Sequence, residues 1–205
     1  MPEPAAGEPL LAARSLSLRR GGRELFTGLS FSIQRGQLWQ VAGDNGAGKT
    51  SLLRILCGLS RYGYEGDVER SAPQLYLGHH SAVKAMLTPR ENLAWHVSGD
   101  YTASEQAIED ALQRVGLYGY EDVPSHTLSA GQHRRVNLAR LYLSEAPLWL
   151  LDEPFTAIDR KGVAELESLL DRHVQSGGAV VMTSHQAVDV TAQVQTITLG
   201  QGAVP

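Results

Sequence analysis

Leu16 and Leu18, then Leu29, Phe31 and Ile33, alternate with polar neighbours on either side of Gly21-Gly22. This period of two predicts a pair of antiparallel strands joined by a turn. Leu38 to Ala42 is almost continuously apolar and stops at Gly43, as a buried strand does when it feeds a loop, and Ser51 to Leu59 then repeats at helical spacing. The stretch from about 88 to 143 reads as helical throughout. Within it Ala107, Ile108, Ala111, Leu112 and Val115 fall on one face, Thr102 and Glu105 form a capping-box pattern, and Gly116 is a stop. Strand patterns return at Leu148 to Leu151 and, after Gly177-Gly178, at Ala179 to Thr183. The expected architecture is α/β: a mixed sheet core with an N-terminal antiparallel β region, interrupted by a helical subdomain at about 88–143. Residues 1–9, rich in Pro, Gly, Glu and Ala, are expected to be a flexible leader to a single domain at 10–205. Internal repeats and low-complexity tracts are absent.

Composition changes this picture little. A chain of 205 residues, 42% hydrophobic and 20% charged, can bury a substantial core. Its net charge of −4 creates no field for nucleic acid, and the pairs Arg19/Arg20 and Arg134/Arg135 are too short to be basic tails. The single cysteine, Cys57, sits among leucines and is expected to pack in the core. The N-terminus lacks a basic stretch ahead of an apolar one, and no apolar run approaches the roughly 18 residues of a membrane helix. The expected setting is a reducing cytosol, with any membrane link made through another polypeptide.

The chemistry begins at GDNGAGKTS, residues Gly43, Asp44, Asn45, Gly46, Ala47, Gly48, Lys49, Thr50 and Ser51, which fits G-x-x-x-x-G-K-[ST] between a strand and a helix. Gly46 and Gly48 let backbone N–H groups curl around phosphate oxygens, where side chains would block the approach. Lys49 can place its ammonium between the β- and γ-phosphates, and the Thr50 hydroxyl can fill a Mg²⁺ position. A glycine turn that merely precedes a helix is the plainer alternative, and the full pattern with its flanks disfavours it. LWLLDEP supplies an acidic metal partner in Asp152, followed by Glu153, a carboxylate placed to orient or deprotonate a water aimed at the γ-phosphate. A pair of acids at a solvated strand end is the alternative here. AVVMTSH brings His185 to a strand end, where a histidine can donate to the γ-phosphate.

A phosphate loop alone fits a small kinase, a GTPase or a transport ATPase. The chain also carries LSAGQHRRV, where Ser129 and Gly131 begin a second anion-ready helix start that continues into Gln132. Taken in order, GDNGAGKTS, LSAGQHRRV, LLDEP, TAID and TSH resemble the ATPase subunits of ABC transporters from about Leu10 to Leu199. The resemblance implies a P-loop NTPase fold of the ABC-ATPase type, with ATP and Mg²⁺ as cofactors. It also implies a head-to-tail dimer of two copies in which Ser129, Gly131 and the helix from Gln132 cover the ATP held by the partner's first loop. The family's usual motif is LSGGQ, so Ala130 replaces a glycine, a mild change. GHHSAVKAMLTPRENL, LWLLDEPFTAID and the short ending after TSHQ narrow the resemblance to the haem-exporter ATPases of cytochrome c biogenesis, the CcmA family. Such a subunit works with membrane permease subunits at the cytoplasmic face of the bacterial inner membrane, as a peripheral protein.

Two positions depart from the wider family. The aromatic residue that stacks on adenine there falls in LRRG, where Arg20 is the candidate and Arg19 its neighbour; a guanidinium plane also stacks on a base. His80 stands where the family has a glutamine that touches Mg²⁺ and the attacking water, and the adjacent His79 is the other candidate. The rival functions are an ATPase for another transporter with a different substrate, a soluble regulatory or DNA-maintenance ATPase, and a non-catalytic nucleotide-binding module. Glu153 speaks against the last. The second rival usually has two ATPase domains in one chain or a long coiled coil, and neither pattern is present.

Overall fold

The computed structural model describes residues 7–96, 103–184 and 188–200. Part of the expected leader, Thr102 of the expected capping box and His185 lie outside them. Packing divides the chain into two compact units, 1–76 with 146–154 and 166–205, and 77–145 with 155–165.

In the first unit the alternating segments form the expected antiparallel pair, β1 (Leu11–Arg20) and β2 (Arg23–Ile33), in register from Leu11↔Ile33 to Arg20↔Arg23. The strand β4 (Tyr64–Arg70) pairs with the other edge of β1, giving a three-stranded sheet in the order β2-β1-β4. A separate five-stranded sheet has the order β5-β6-β7-β3-β8. It contains β3 (Leu38–Ala42), β5 (Gln74–Leu77), β6 (Leu148–Leu151), β7 (Ala179–Thr183) and β8 (Val194–Thr198). The strand β3 runs parallel to both β7 and β8, and β6 parallel to β7. Every residue of β6 and β7 is buried, which is why these strands read as unbroken apolar runs.

The helix α1 (Lys49–Leu56) buries Leu52, Leu53, Ile55 and Leu56 in one core with Leu11, Leu16, Ile33, Val41, Leu150 and Val181. Its C-terminal end is closed by Arg70 of β4, whose guanidinium donates to the carbonyls of Leu56 at 2.7 Å and Ile55 at 2.5 Å. A cation there satisfies otherwise orphaned carbonyls and opposes the negative end of the helix dipole. Cys57 packs against this core as expected, and burial raises its thiol pKa.

The second unit is helical but not continuously so. It holds α2 (Pro89–His96), α3 (Glu105–Arg114), a 3₁₀ turn at Ser125–Thr127 and α4 (Ala130–Leu143). Gly116, Gly119 and Pro124 break the run between α3 and α4, Gly116 as expected. The buried face of α3 is Ile108, Ala111 and Leu112, packed with Leu93, Leu117, Val136 and Ala139. Ser104 is the N-cap of α3, and its side chain accepts from Ala107 N–H. Asn92, 2% exposed, folds the preceding loop: its carbonyl accepts from Lys84 N–H at 2.7 Å and its amide donates to Lys84 and Thr88 carbonyls at 3.0 Å. The last helix, α5 (Arg160–Gln175), begins where Asp159 accepts from Gly162 N–H at 2.8 Å. Its buried residues Leu166, Leu169, Leu170 and Val174 follow helical spacing. Among the described residues no helix is long and apolar enough to cross a membrane.

Candidate functional site

The glycine loop is shaped by what surrounds it. Gly43 follows β3 with φ 143°, and a Cβ there would stand 2.6 Å from the carbonyl oxygen of Leu199, so no other residue fits without moving backbone. Gly48 is the N-cap of α1 with φ 102°, and no side chain caps the helix start. The first amides of α1 are thereby left to an anion, with the positive end of the helix dipole behind them. Lys49, the first residue of α1 and 8% exposed, folds back across the loop, donating from Nζ to Gly43 O at 2.7 Å and Asp44 O at 3.1 Å. Ala47 N–H closes a turn onto Asp44 O at 3.1 Å. The lysine charge is thus fixed above the loop rather than extended into solvent.

Beside it lies the tip of β6. The Asp152 side chain is 1% exposed, and its Oδ1 accepts two hydroxyls, Thr50 Oγ1 at 3.2 Å and Thr183 Oγ1 at 2.9 Å. Burial, and then the negative charge of Asp152, push the Tyr76 hydroxyl up to about 12. Glu153 follows with φ 51°, a left-handed conformation, and its N–H donates to Thr183 Oγ1 at 2.7 Å. Asp152 and the Thr50 hydroxyl are hard oxygen donors within hydrogen-bond reach of each other. They suit Mg²⁺, an ion that takes one or two protein oxygens and completes its shell with phosphate and water. Among the described residues no group of three His, Cys, Asp or Glu side chains forms a metal cage.

The second motif is in the second unit. Ser129 is the N-cap of α4 and Gln132 its third residue, and the two make a reciprocal capping box. Gln132 N–H donates to Ser129 Oγ at 3.2 Å, and Ser129 N–H to Gln132 Oε1 at 2.9 Å. The Ser129 oxygen accepts the helix amide and keeps its own proton to donate. Gly131 has an ordinary helical backbone, and a Cβ on it would only touch Ala157 O at 3.5 Å. Its lack of a side chain is therefore not required by this unit's own fold. Arg135 of α4 reaches Asp159 at 2.8 Å, and the Gly162 N–H, followed by Arg135, holds the Asp159 carboxyl below the usual carboxylate range.

Residues 26–156 match the ABC transporter family model. The chain is 49% identical over 207 residues to the cytochrome c biogenesis ATP-binding export protein CcmA of Pseudomonas savastanoi pv. phaseolicola, covering 95% of this chain and 97% of that one. It is 52% identical over 196 residues to the protein of the same name from Saccharophagus degradans, covering 86% and 87%. The chain belongs to the ABC transporter family, among its cytochrome c biogenesis ATP-binding export proteins. Its fold is that of solved ABC ATPases. It superposes with a TM-score of 0.78, at 21% identity, on an ATP-binding cassette determined as a post-hydrolysis dimer with ADP and Pi, covering 92% of this chain and 94% of that one. An ATP-binding subunit of an ABC transporter gives 0.75 at 22% identity, covering 86% and 79%.

In this ABC ATPase the residues singled out from sequence separate into three groups. Gly43 to Ser51, Asp152 and Glu153 lie in one unit, where the Thr50–Asp152 and Lys49–Gly43 hydrogen bonds join the loop to itself and to the β6 tip. Ser129, Gly131 and Gln132 start α4 in the other unit, which also carries His79 and His80, with ring centroids 5.3 Å apart at 78°. His185 lies outside the described residues. Arg20 ends β1, exposed and paired with Arg23. Its neighbour Arg19 instead lines an open hollow of about 410 Å³ together with Ser17, Glu24, Phe26 and Tyr64. Thr183, the hydroxyl that bridges Asp152 and Glu153, enters the sequence motifs only as the first residue of TSH, with no role of its own. The available signal was a hydroxyl residue closing an otherwise apolar strand beside the one that ends in LLDEP.

Proposed function

We propose that the chain is the ATP-hydrolysing subunit of an ABC transporter complex, a single ABC ATPase domain over 10–205 that couples ATP binding and hydrolysis to haem export or haem-chaperone release in cytochrome c maturation. The observation that carries the ATPase reading is the hydrogen-bonded set Thr50–Asp152–Thr183, which sets a hydroxyl and a buried carboxylate beside the lysine loop. The relatives' names carry the link to cytochrome c biogenesis.

In this reading the amides of Gly46 to Ser51 bind the phosphates of ATP, and Lys49 turns from the loop carbonyls to the β- and γ-oxygens, where its charge offsets their repulsion. Thr50 and Asp152 hold Mg²⁺, which when bound neutralises charge building on the phosphate oxygens. Glu153 orients and deprotonates the attacking water, and His185 donates to the γ-phosphate. His80 stands in for the family glutamine at the metal and water, and Arg20 stacks on adenine. A second copy contributes Ser129, Gly131 and the helix start at Gln132 as donors to the γ-phosphate, which explains why one chain carries two anion-ready helix starts.

The membrane permease subunits dock on the segment Leu75 to Val97, at the cytoplasmic face of the inner membrane. There Met86 is 84% and Trp95 73% exposed, and Lys84 Nζ lies 3.6 Å from the centre of the Trp95 ring. Large apolar side chains held out in solvent fit a surface that is covered in a complex. Co-purification with the permease tests the assignment: the parent is retained and Met86→Glu with Trp95→Ala is lost, with ATP binding unchanged. Retention of the double variant would move the docking surface elsewhere. Phosphate release by the purified complex, abolished in Glu153→Gln, tests the activity.

A further inference from the structure

Thr183 closes β7 with no exposed surface, so its hydroxyl is cut off from water and needs partners within the protein. Its hydrogen bonds run to two consecutive residues of the β6 tip. The Oγ1–H donates to Asp152 Oδ1 at 2.9 Å, and the same oxygen accepts the N–H of Glu153 at 2.7 Å. The peptide between those residues is where the chain leaves the strand, and it does so with Glu153 in the left-handed region at φ 51°, a conformation costly for a residue with a side chain. A conformation of that kind persists when its surroundings hold it, and the Glu153 N–H is held by Thr183.

We infer that Thr183 is a positioning residue, whose one hydroxyl fixes both the orientation of the Asp152 carboxylate and the backbone turn that aims Glu153. The inference rests on the ATPase reading above. It goes further in assigning to Thr183, the first residue of TSH, a role separate from that of His185. Thr183 acts through its neighbours, the Asp152 carboxylate and the Glu153 backbone. Asp152 Oδ1 also accepts the Thr50 hydroxyl at 3.2 Å, so the orientation set by Thr183 reaches the end of the lysine loop as well. Valine has nearly the same shape and would fill the core equally, but would take the Thr183 acceptor from the Glu153 amide and one of two hydroxyl donors from Asp152 Oδ1. A purely structural role would make Val and Ser comparable; a positioning role separates them.

The test compares full-length Thr183→Val and Thr183→Ser with the parent, using a fluorescent ATP analogue titrated in Mg²⁺ and in EDTA, and the rate of phosphate release. Thr183→Val should bind nucleotide in EDTA as the parent does, lose about tenfold of the affinity gained from Mg²⁺, and lose about tenfold in kcat. Thr183→Ser, which keeps the hydroxyl, should retain both. If Val does not fold, Thr183→Ala, also without a hydroxyl, is compared with Ser in the same way. Parent-like Mg²⁺ affinity and kcat in the variant without a hydroxyl would overturn the inference, as would equal losses in Ser. A parent that binds ATP without hydrolysing it would remove the ATPase reading, and the Mg²⁺-dependent affinity would still decide the role of Thr183.

Discussion

The ammonium of Lys49 lies 2.7 Å from the carbonyl oxygen of Gly43, so the cation of the glycine loop is tied to the residue that opens it. In the proposed ATP site this charge, already centred over the loop, meets the phosphates. Lys49→Ala removes that charge and the bonds to Gly43 and Asp44 together. ATP binding should be weak or absent, and hydrolysis should fall by roughly a hundredfold or more. Nucleotide titration and phosphate release check this; parent-like turnover would mean that Gly43 to Thr50 is not the phosphate cradle.

Gly131 offers a cleaner probe of the second motif than its capping neighbours. A Cβ there meets only Ala157 O at 3.5 Å, and alanine is the better helix former by up to about 1 kcal/mol. Gly131→Ala should therefore leave thermal stability unchanged or slightly raised. In a Glu153→Gln background it should nevertheless weaken the ATP-dependent dimer, because the added methyl lies where a partner's phosphate must approach backbone. An undiminished dimer by light scattering would show that no close approach occurs at Gly131.

Trp149 of β6 and His173 of α5 stack with ring centroids 3.6 Å apart and planes 8° from parallel. Burial pushes the His173 imidazole down to about 4, against 6.5 for a free one, with bonds to the Pro147 and Ala179 backbone opposing the shift only in part. The folded state thus refuses a proton that the unfolded chain accepts. This group costs no stability above about pH 6.5, and the loss grows as pH falls towards 4, reaching roughly 2 kcal/mol after allowance for partial exposure. Urea midpoints between pH 7.5 and 4.5 should decline less in His173→Phe than in the parent; parallel curves would remove His173 as the cause. Gly178→Ala should destabilise at every pH, since its Cβ would fall 2.3 Å from His173 Nε2 and force the stack apart.

His80→Gln restores the residue usual in the wider family and should leave at least part of the ATPase activity. His79→Ala provides the contrast. Phosphate release assays that find His80→Gln parent-like and His79→Ala inactive would transfer the role to His79.

Much of the fold was legible because the core strands are pure in pattern. Leu148 to Leu151 and Ala179 to Thr183 are buried at every residue, and β1 with β2 alternates around a glycine turn. The lysine loop was legible because its chemistry is local, and Thr50 and Asp152 do meet. Features that depend on distant residues were harder to read. Nothing in the sequence of β7 says that Thr183 faces the Asp152 carboxylate, or that Gly178 lies against the His173 ring. The helical stretch after Thr88 looked continuous because apolar spacing persists across Gly116 and Pro124, and only packing shows where each helix stops. The N-cap of α3 is Ser104, which accepts the Ala107 amide, while Thr102 of the expected capping box lies outside the described residues.

In the proposed dimer, LSAGQ of one copy closes the ATP site of another. Size-exclusion chromatography with light scattering, with and without Mg-ATP, tests it on Glu153→Gln and on Glu153→Gln with Ser129→Arg. Glu153→Gln should retain bound ATP and run as a dimer only when Mg-ATP is present. Ser129→Arg adds a bulky cation and removes the helix cap, at a cost of about 1 kcal/mol that a folded subunit tolerates. The double variant should stay monomeric while still binding ATP through Lys49 and Thr50. An ATP-dependent dimer that persists in the double variant would show that LSAGQ does not cover the partner's ATP.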